Sequence, residues 1–274
     1  MSNTEIHVAI PVYNNVAGLR RLLPQLQQQN FSSITVLDDA STDTTPAYVK
    51  SLPDVEYIRA PHNLGTVGAN NLQLQSPHSG GFLLCLDSDM ELVTTDIVGQ
   101  FSQWIRAHPQ TAAVVGKIVD QAGNRVRWNF GYDINPWRSV FACITYYAAV
   151  WLAGVPYVGN GLRRVSTLFT LHLAADIPQK VDWGIEGFFF VRQDVWRKQK
   201  GFDSRFKRFH EGPDLFLTLR TQGYETWYLP QLVARDSDQA SHSSWYRAYH
   251  WWRSTLIYFY KHPSRLLIYR WPRP

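Results

Sequence analysis

Cysteine is scarce in this sequence, with two copies in 274 residues. Cys85 and Cys143 both lie in apolar stretches, and their spacing forms neither a zinc site nor a disulfide framework. The first residues, "MSNTEIHVAIPVYNN", have no basic segment followed by an apolar run, so we predict no signal peptide. These absences fit a protein of a reducing compartment, or one that is indifferent to redox conditions.

Several catalytic motifs are also missing. The glycines of "NLGTVGANN" do not form G-x-G-x-x-G after the first strand, which disfavours a dinucleotide-dependent dehydrogenase. The sequence has no P-loop, no G-x-S-x-G nucleophile elbow and no H-E-x-x-H pair among its nine histidines. Counting from Asp87, the sixth and twelfth positions are Leu92 and Val98, whereas an EF-hand needs glycine and glutamate there.

The composition is that of a folded globular protein, with 45% hydrophobic and 18% charged residues. A net charge of +5 together with 14% aromatic residues favours an anionic partner, such as a phosphate-bearing substrate, a nucleic acid or a lipid surface. The aromatic residues concentrate in one helix and one apolar segment, and we find no nucleic-acid-binding motif. We therefore expect no nucleic-acid partner.

The first half of the chain alternates strand and helix patterns. Strands are predicted for "IHVAIPV", "ITVLDD", "VEYIRA", "GFLLCLD" and "AAVVGKIV". The first helix has leucines at helical spacing, Asn14 or Asn15 as its cap, and Pro24 as a possible kink or end. This alternation predicts a mostly parallel sheet flanked by helices, with ligands bound beyond the carboxyl ends of the strands. The loops that follow Val12, Leu37 and Leu86 should therefore share one crevice.

The second half is less regular. We predict a strand and helix in "VDWGIEGFFFVRQDVWRKQ", a helix in "GPDLFLTLRTQG", a short strand in "YETWYLP" and a long aromatic helix in "SWYRAYHWWRSTLIYFYKH". Without repeats or a low-complexity linker, one continuous domain over residues 1–240 is the simplest organisation. Within it, an alternating first half covers about residues 1–120 and a less regular second half about 121–240, and an aromatic and basic helical extension covers 241–274.

Acidic pairs follow two of the predicted strands. Asp38 and Asp39 could accept the imide proton of a pyrimidine base, or they could merely cap the next helix. Asp87 and Asp89 in "LDSDM" should point to the same face, since side chains alternate along a strand. Two such close charges need a cation, a solvated turn or a shared proton. A divalent metal with a diphosphate explains them best, because Mg²⁺ and Mn²⁺ prefer hard oxygen ligands.

Taken together, the motifs resemble glycosyltransferase family 2, of the GT-A fold. The matching stretches run in the family's order over about residues 6–230: "AIPVYNN", "VLDDASTDTT", "HNLGTVGANN", "LCLDSDMEL", "VDWGIEGFFFVRQDVW" and "GFDSRFKRFHEGPDLFLTLRTQGY". "NLGTVGANN" and "RSTLIYFYKHP" are most similar to rhamnosyltransferase-type members. The resemblance implies an inverting transferase that uses a UDP-, dTDP- or GDP-linked sugar, a divalent Mn²⁺ or Mg²⁺ ion, and a glycan or lipid-linked acceptor.

The resemblance also assigns roles to individual residues. Pro11, Tyr13 and Asp39 would surround the base of the donor, with Asp38 in support. The remaining assignments are Asn63 and Gly65 beside the nucleotide, Asp87 and Ser88 near the ribose or metal, Asp89 as the direct metal ligand, and Asp182, Trp183 and Gly187 on the acceptor side.

The sequence departs from the family in its acidic motif. Family members commonly read E-D-x-D where this chain has "EGPD", so Gly212 takes the usual place of the catalytic base. The Gly-Pro pair predicts that Glu211 lies on a loop and Asp214 in the first turn of a helix. We expect Glu211 to be the base, with Asp214 second and His210 third. The alternative is a catalytically inactive protein of the same fold that binds a sugar nucleotide or a partner protein.

A second departure concerns a histidine that often precedes the C-terminal helix. Asp236 stands near that place, and His242 lies close enough in sequence to substitute for it.

Two further segments suggest a cellular location. Residues 140–158 are uncharged and about long enough to cross a bilayer, but they lie between motifs of one site, so we predict a buried or interfacial segment. After Asp238 the chain has no acidic residue, and basic residues alternate with aromatic ones. We therefore expect a cytoplasmic protein that can lie on the anionic inner face of a membrane.

Overall fold

The computed structural model describes residues 4–126, 129–131, 176–237 and 244–266, and the isolated positions 144 and 148. The strands are β1 Ile6–Val12, β2 Ser33–Asp38, β3 Glu56–Arg59, β4 Phe82–Leu86, β5 Met90–Leu92, β6 Thr111–Val119, β7 Phe130–Gly131, β8 Gln179–Lys180, β9 Trp183–Gly184, β10 Phe188–Arg192 and β11 Glu225–Asp236. The helices are α1 Val16–Gln27, α2 Thr45–Lys50, α3 Gly65–Asn71, α4 Ile97–Ala107, α5 Gln193–Gln199, α6 Glu211–Thr221 and α7 Ser244–Lys261.

Among the described residues, nine strands form one sheet in the order β3-β2-β1-β4-β10-β6-β11-β5, with β8 also paired to β11. Strands β1 to β4 are parallel neighbours, and β6 and β11 run in the same direction. Strand β10 is inserted antiparallel between β4 and β6. The predicted mostly parallel sheet is therefore confirmed, and β10 brings the second half of the chain directly against β4.

Two apolar layers cover the sheet. On one face, alternate residues of β1 such as Val8 and Ile10 pack with α1 and α4 in a single buried cluster. On the other face, Ala9 and Phe189 pack with side chains from α3, α5, α6 and α7, including Tyr258. Burial of apolar area on both faces is the main force that stabilises such a layered fold. The C-terminal helix is part of this second layer.

The first helix shows how local sequence positions the site. The Asn15 side chain caps α1 by accepting the N–H of Gly18, and four leucines at helical spacing are fully buried. The helix continues through Pro24 and ends at Gln27, so of the two effects predicted for the proline, a kink or a shorter helix, the shorter helix was wrong. Asn15 also donates to Ser88 Oγ at 3.1 Å, which ties the start of α1 to the loop after β4.

The remaining predictions differ from the structure mainly in length. Strand β11 has 12 residues, longer than the short strand predicted for "YETWYLP", because it also pairs with β5. The predicted long aromatic helix is confirmed as α7. In the described part of the chain, no helix is both long enough and apolar enough to cross a membrane. Residues 140–158 and His242 lie outside the described residues, so the predictions for them stay predictions.

Candidate active site

The loops after β1, β2 and β4 meet at one edge of the sheet, as the sequence predicted. The backbone N–H of Asp39 donates to the carbonyl of Val12 at 2.9 Å, and Asn14 N–H donates to Ser41 Oγ at 2.9 Å. The carbonyl of Ser88 lies so close to α1 that a Cβ at Gly18 would be 2.2 Å from it. These contacts fix three loops around one crevice.

Asp38 is fully buried behind the crevice. Its Oδ2 accepts hydrogen bonds from Tyr57 Oη and Arg59 Nη1, both at 2.5 Å, and its Oδ1 accepts the N–H of Ser41 at 2.8 Å. All these donors belong to β3 and the β2–α2 turn. The geometry fits the supporting role expected for Asp38, because its carboxylate holds the turn and does not face the crevice.

Asp39 links the loop after β2 to the start of α3. Its two carboxylate oxygens accept the N–H groups of Leu64 and Gly65, at 2.6 and 2.9 Å. Asn63 Nδ2 is 3.4 Å from the Asp39 carbonyl. Gly65 has a φ of +76°, a conformation that glycine adopts without strain. Burial raises the pKa of Asp39, while the two backbone hydrogen bonds lower it.

Two other expected donor contacts lie at the edge of the crevice. Tyr13, in the loop after β1, is 51% exposed, so its ring is available to a ligand. Pro11 is partly exposed on β1 and pairs in register with Leu37 of β2. The structure thus brings the residues expected around a nucleotide base to one place.

Asp87 and Asp89 follow β4 and belong to a larger group of acids. We call Asp87, Asp89, Glu186, Glu211 and Asp236 the carboxylate cluster. Burial, together with the charges of Asp89, Glu186 and Asp236, raises the pKa of Asp87 to about 7, against the opposing effect of Arg208. The cluster therefore collects more negative charge than Arg208 offsets.

Gly187 joins the cluster to the second half of the chain. Its carbonyl accepts the N–H of Asp87 at 3.0 Å, and a Cβ at this position would lie 2.9 Å from Asp87 Oδ2. A side chain there would require the Asp87 carboxylate and the end of the Met90 side chain to move. The structure thus places Gly187 against the acidic loop, and its expected role on the acceptor side stays a prediction.

Glu211 is the first residue of α6, not a loop residue, so the predicted loop position was wrong. The helix begins directly after His210, which has a φ of +66°, and it includes both Gly212 and Pro213. Proline is well tolerated in the first turn of a helix, where its missing N–H costs nothing. Glu211 is 3% exposed, and burial raises its pKa well above the usual range, with Glu186 contributing.

Asp214 has a different environment from Glu211. Its Oδ2 accepts from Lys261 Nζ at 2.7 Å, and its Oδ1 is 2.7 Å from His262 Nε2. Lys261 also donates to Asp203 at 2.8 Å. Both oxygens of Asp214 thus anchor the end of α7 to α6, which favours a structural role over that of a catalytic base.

Asp182 and Trp183 lie on the acceptor side but away from the carboxylate cluster. Asp182 forms an ion pair with Arg220 at 2.7 Å, near the carboxyl end of α6. Nine residues of helix separate Arg220 from Glu211, which corresponds to about 13 Å. The Trp183 ring covers Gly131, where a Cβ would lie 2.4 Å from Cζ2. Both residues therefore support the short pairing of β7 with β9, which includes Gly131.

Sequence reasoning missed Glu186 entirely. It lies in "WGIEGF", a stretch with no recognisable acidic motif, directly before β10. Burial raises its pKa, and the N–H of Gly212 lowers it by donating to Oε1 at 2.7 Å. The one available signal was indirect, since a glycine in an otherwise acidic motif indicates that a neighbour occupies its space.

The fold and this crevice define a GT-A type protein with its acidic loops at the carboxyl edge of the sheet. The sequence model described as Glycosyl transferase family 2 matches residues 7–160, more than half of the chain. The protein therefore belongs to glycosyltransferase family 2, and the resemblance seen in the sequence is confirmed.

Individual relatives are more distant. A pre-mycofactocin glycosyltransferase of Mycobacterium tuberculosis is 34% identical over 91 residues, which is 32% of this chain and 18% of that protein. The mannosyltransferase PcManGT from Pyrobaculum calidifontis, solved with GDP-Man and Mn²⁺, has a TM-score of 0.60 at 16% identity over 96% of this chain and 65% of its own. GalNAc-T7, solved with UDP, GalNAc and Mn²⁺, has a TM-score of 0.61 at 13% identity, covering 98% of this chain and 52% of its own. The chain thus spans less than two thirds of the length of these proteins.

Proposed function

We propose that this chain transfers a sugar from a nucleoside-diphosphate donor to a hydroxyl group of a glycan or lipid-linked acceptor, with inversion at the anomeric carbon. The observation that supports the proposal is the contact among the loops after β1, β2 and β4, which carry Asp39, Asp87 and Asp89, at the carboxyl edge of the sheet. Open α/β sheets bind ligands at that edge.

The donor would bind across the loops after β1, β2 and β4. Tyr13 and Pro11 offer a partly exposed surface to the base, and Asn63 and Gly65 shape the wall formed by the start of α3. The carboxylate of Asp39 has two backbone partners, and a carboxylate has about four lone-pair sites. It therefore keeps the capacity to accept one more hydrogen bond from a base.

The chemistry of the carboxylate cluster suits a divalent cation, although its described acids are not drawn together around one point. Its members supply only oxygen ligands, and Glu211 Oε2 is buried without a hydrogen-bond partner among the described residues. In the same residues, no three His, Cys, Asp or Glu side chains are arranged as a metal site. Asp87 and Asp89 would hold Mn²⁺ or Mg²⁺ together with the donor phosphates. When bound, the metal would offset the charge that develops on the leaving diphosphate.

The chemistry needs a base on the acceptor side. A carboxylate there removes the proton of the acceptor hydroxyl as its oxygen attacks the anomeric carbon, and a single displacement inverts the configuration. The second half of the chain supplies three acids of the cluster, Glu186, Glu211 and Asp236, and of these Glu211 is the first residue of α6. Glu211 was the residue expected from the sequence.

Binding of the nucleoside diphosphate tests this function directly. We expect UDP, dTDP or GDP to raise the melting temperature in the presence of Mn²⁺ or Mg²⁺, because a ligand that binds only the folded state stabilises it by mass action. The same nucleotide with chelator should have a much smaller effect. The matched control is Asp54→Ala, which removes an exposed acid outside the crevice and should leave the shift unchanged. Failure of every nucleotide with metal would contradict the proposal.

We also propose that α7 lies against a membrane surface that presents the acceptor. Its exposed apolar side chains recur at helical spacing on one face: Trp245, Tyr249, Trp252, Leu256 and Tyr260. The basic residues of α7 should contribute less to membrane binding than the sequence suggested, because two of them have partners within the protein. Arg253 donates to the carbonyl of Arg205, and Lys261 pairs with Asp203 and Asp214. Aromatic insertion should therefore contribute more to binding than charge does.

Liposome co-sedimentation tests the membrane contact. We expect the protein to bind vesicles that contain anionic phosphatidylglycerol, and binding should fall as salt rises. The double variant Trp245→Ser with Leu256→Ser should bind less, whereas Val93→Ser, which removes an exposed apolar side chain outside α7, should bind normally. Equal binding by all three proteins would contradict the proposal.

A further inference from the structure

Positions 186 and 212 compete for the same space. Gly212, the second residue of α6, donates its N–H to Glu186 Oε1 at 2.7 Å. A Cβ built on Gly212 would lie 2.4 Å from that oxygen and 2.8 Å from the carbonyl of Gly184. Such distances are far inside van der Waals contact. The carboxylate of Glu186 therefore lies where a side chain at position 212 would begin.

Glu186 and Glu211 differ in their access to a ligand. Glu211 is 3% exposed, and its Oε2 is enclosed without a hydrogen-bond partner among the described residues. Glu186 is partly exposed. A base must come within about 2.6–3.2 Å of the oxygen whose proton it removes. Of the two acids, the partly exposed Glu186 is therefore the one that a hydroxyl can approach without a rearrangement of α6.

Glu186 is also close to the place where the donor phosphates would lie. It precedes Gly187, whose carbonyl accepts the N–H of Asp87 at 3.0 Å, and Phe188 then pairs with Leu86 in the sheet. Because Gly187 contacts Asp87 and Phe188 is paired in the sheet, the backbone of Glu186 is held next to the loop that carries Asp87 and Asp89. Attachment to a central strand is the rigid support that a catalytic group needs.

We infer that Glu186 is the general base of the transfer, and that its carboxylate replaces the acidic side chain that Gly212 lacks. The inference rests on the proposed function. Glu186 Oε2 takes the proton of the acceptor hydroxyl while the acceptor oxygen bonds to the anomeric carbon. The bond from that carbon to the diphosphate oxygen breaks, and its electron pair stays on the nucleoside diphosphate. Glu186 Oε1 keeps its hydrogen bond to Gly212.

A purely structural role for Glu186 can be separated from catalysis. Its Oε1 caps an N–H in the first turn of α6, and Glu186→Gln preserves that acceptor while removing the base. We expect Glu186→Gln to keep its melting temperature and its affinity for the nucleoside diphosphate with Mn²⁺. Release of nucleoside diphosphate from UDP-, dTDP- or GDP-sugars, with water as acceptor, should fall by about a hundredfold to ten-thousandfold. Wild-type turnover in Glu186→Gln would overturn the inference.

Variants at positions 186 and 212 test whether the carboxylate at 186 takes the role of an acidic side chain at 212. Gly212→Asp alone should be destabilised by the collision with Glu186, and Glu186→Ala alone should be slow. In the double variant Glu186→Ala with Gly212→Asp the collision with Glu186 is gone, and the start of α6 has only to shift away from the Gly184 carbonyl, so turnover should rise above that of Glu186→Ala. A folded double variant as slow as Glu186→Ala would contradict the replacement.

The two proposals fail in different ways. If the wild-type protein binds no nucleoside diphosphate with metal, the proposed function falls, and the assignment of Glu186 falls with it. If the wild type binds and turns over and Glu186→Gln does so equally, only the assignment of Glu186 is wrong.

Discussion

The Asp38–Asp39 turn and the carboxylate cluster are both acidic, yet they are stabilised in opposite ways. In the turn, each carboxylate accepts hydrogen bonds from backbone N–H groups, and Asp38 also binds Arg59. In the cluster, burial and the mutual repulsion of the acids raise the pKa of Asp87 and Glu211, and Glu211 Oε2 has no partner in the described part of the chain. The turn is therefore part of the folded framework, whereas the acids of the cluster oppose one another's ionisation.

The largest effect should come from the cluster, as a loss of activity. Asp89→Ala should abolish metal-stimulated turnover, because it removes the expected direct metal ligand. Stability should not fall, since one of several mutually repelling charges disappears. Release of nucleoside diphosphate with Mn²⁺ and a thermal melt measure the two quantities. A variant that keeps metal-stimulated turnover would show that the cluster does not serve the metal.

The corresponding change in the turn should affect folding. Asp39→Ala removes the acceptor of the half-exposed N–H groups of Leu64 and Gly65, and a net hydrogen bond is worth about 0.5–1.5 kcal/mol, so a loss of about 1–3 kcal/mol is expected. Urea unfolding measures the loss, and nucleotide affinity should also fall. Asp96→Ala, which removes an exposed helix cap, is the control and should cost about 1 kcal/mol. Equal losses in both variants would contradict the special role of the turn.

The pH dependence of folding stability gives a further prediction, which concerns the buried side chain of His210. Burial against Trp251, Thr255 and Tyr258 lowers the pKa of His210 from 6.5 to about 4. Below pH 6.5 the unfolded chain therefore binds a proton at His210, whereas the folded chain does not. Stability is unaffected above that pH and declines as pH falls to about 4, by up to roughly 3 kcal/mol. His210→Asn, which tolerates the positive φ, should reduce this acid sensitivity in urea unfolding at pH 7 and pH 4.5. An unchanged pH dependence would contradict this origin.

The smallest effect should be that of Glu211→Gln. Because its carboxylate is buried beside Glu186 without a full set of partners, a neutral amide should change stability by less than about 1 kcal/mol. Turnover should fall much less than in Glu186→Gln. The two variants measured side by side decide which acid is the base, and a slower Glu211→Gln would restore the assignment made from the sequence.

Sequence reasoning reached the aspartates that follow β2 and β4 but missed Glu186, for a physical reason. Asp38, Asp39, Asp87 and Asp89 follow strands whose ends must meet in a parallel sheet, so local pattern and topology suffice to place them. Glu186 lies directly before β10, which enters the sheet antiparallel, and its contact with Gly212 joins residues 26 positions apart. Only tertiary structure shows that contact.

The same limit applies to the two acids of α6. The Gly-Pro pair indicated a turn, but both residues fit the first turn of the helix, and so Glu211 is helical. Asp214 was recognised as a first-turn residue, yet its partners Lys261 and His262 come from the far end of the chain. Helix capping rules describe neighbours in sequence and give no information about such partners.

The close approach of Gly212 to Glu186 also constrains how this sequence can evolve. An acidic side chain cannot return to position 212 while Glu186 remains, because both would occupy one volume. Losing Glu186 first would leave the site without its proton acceptor, and gaining an aspartate at position 212 first would strain the start of α6. The effects of substitutions at positions 186 and 212 should therefore be strongly non-additive, because each residue sets the space that is open to the other.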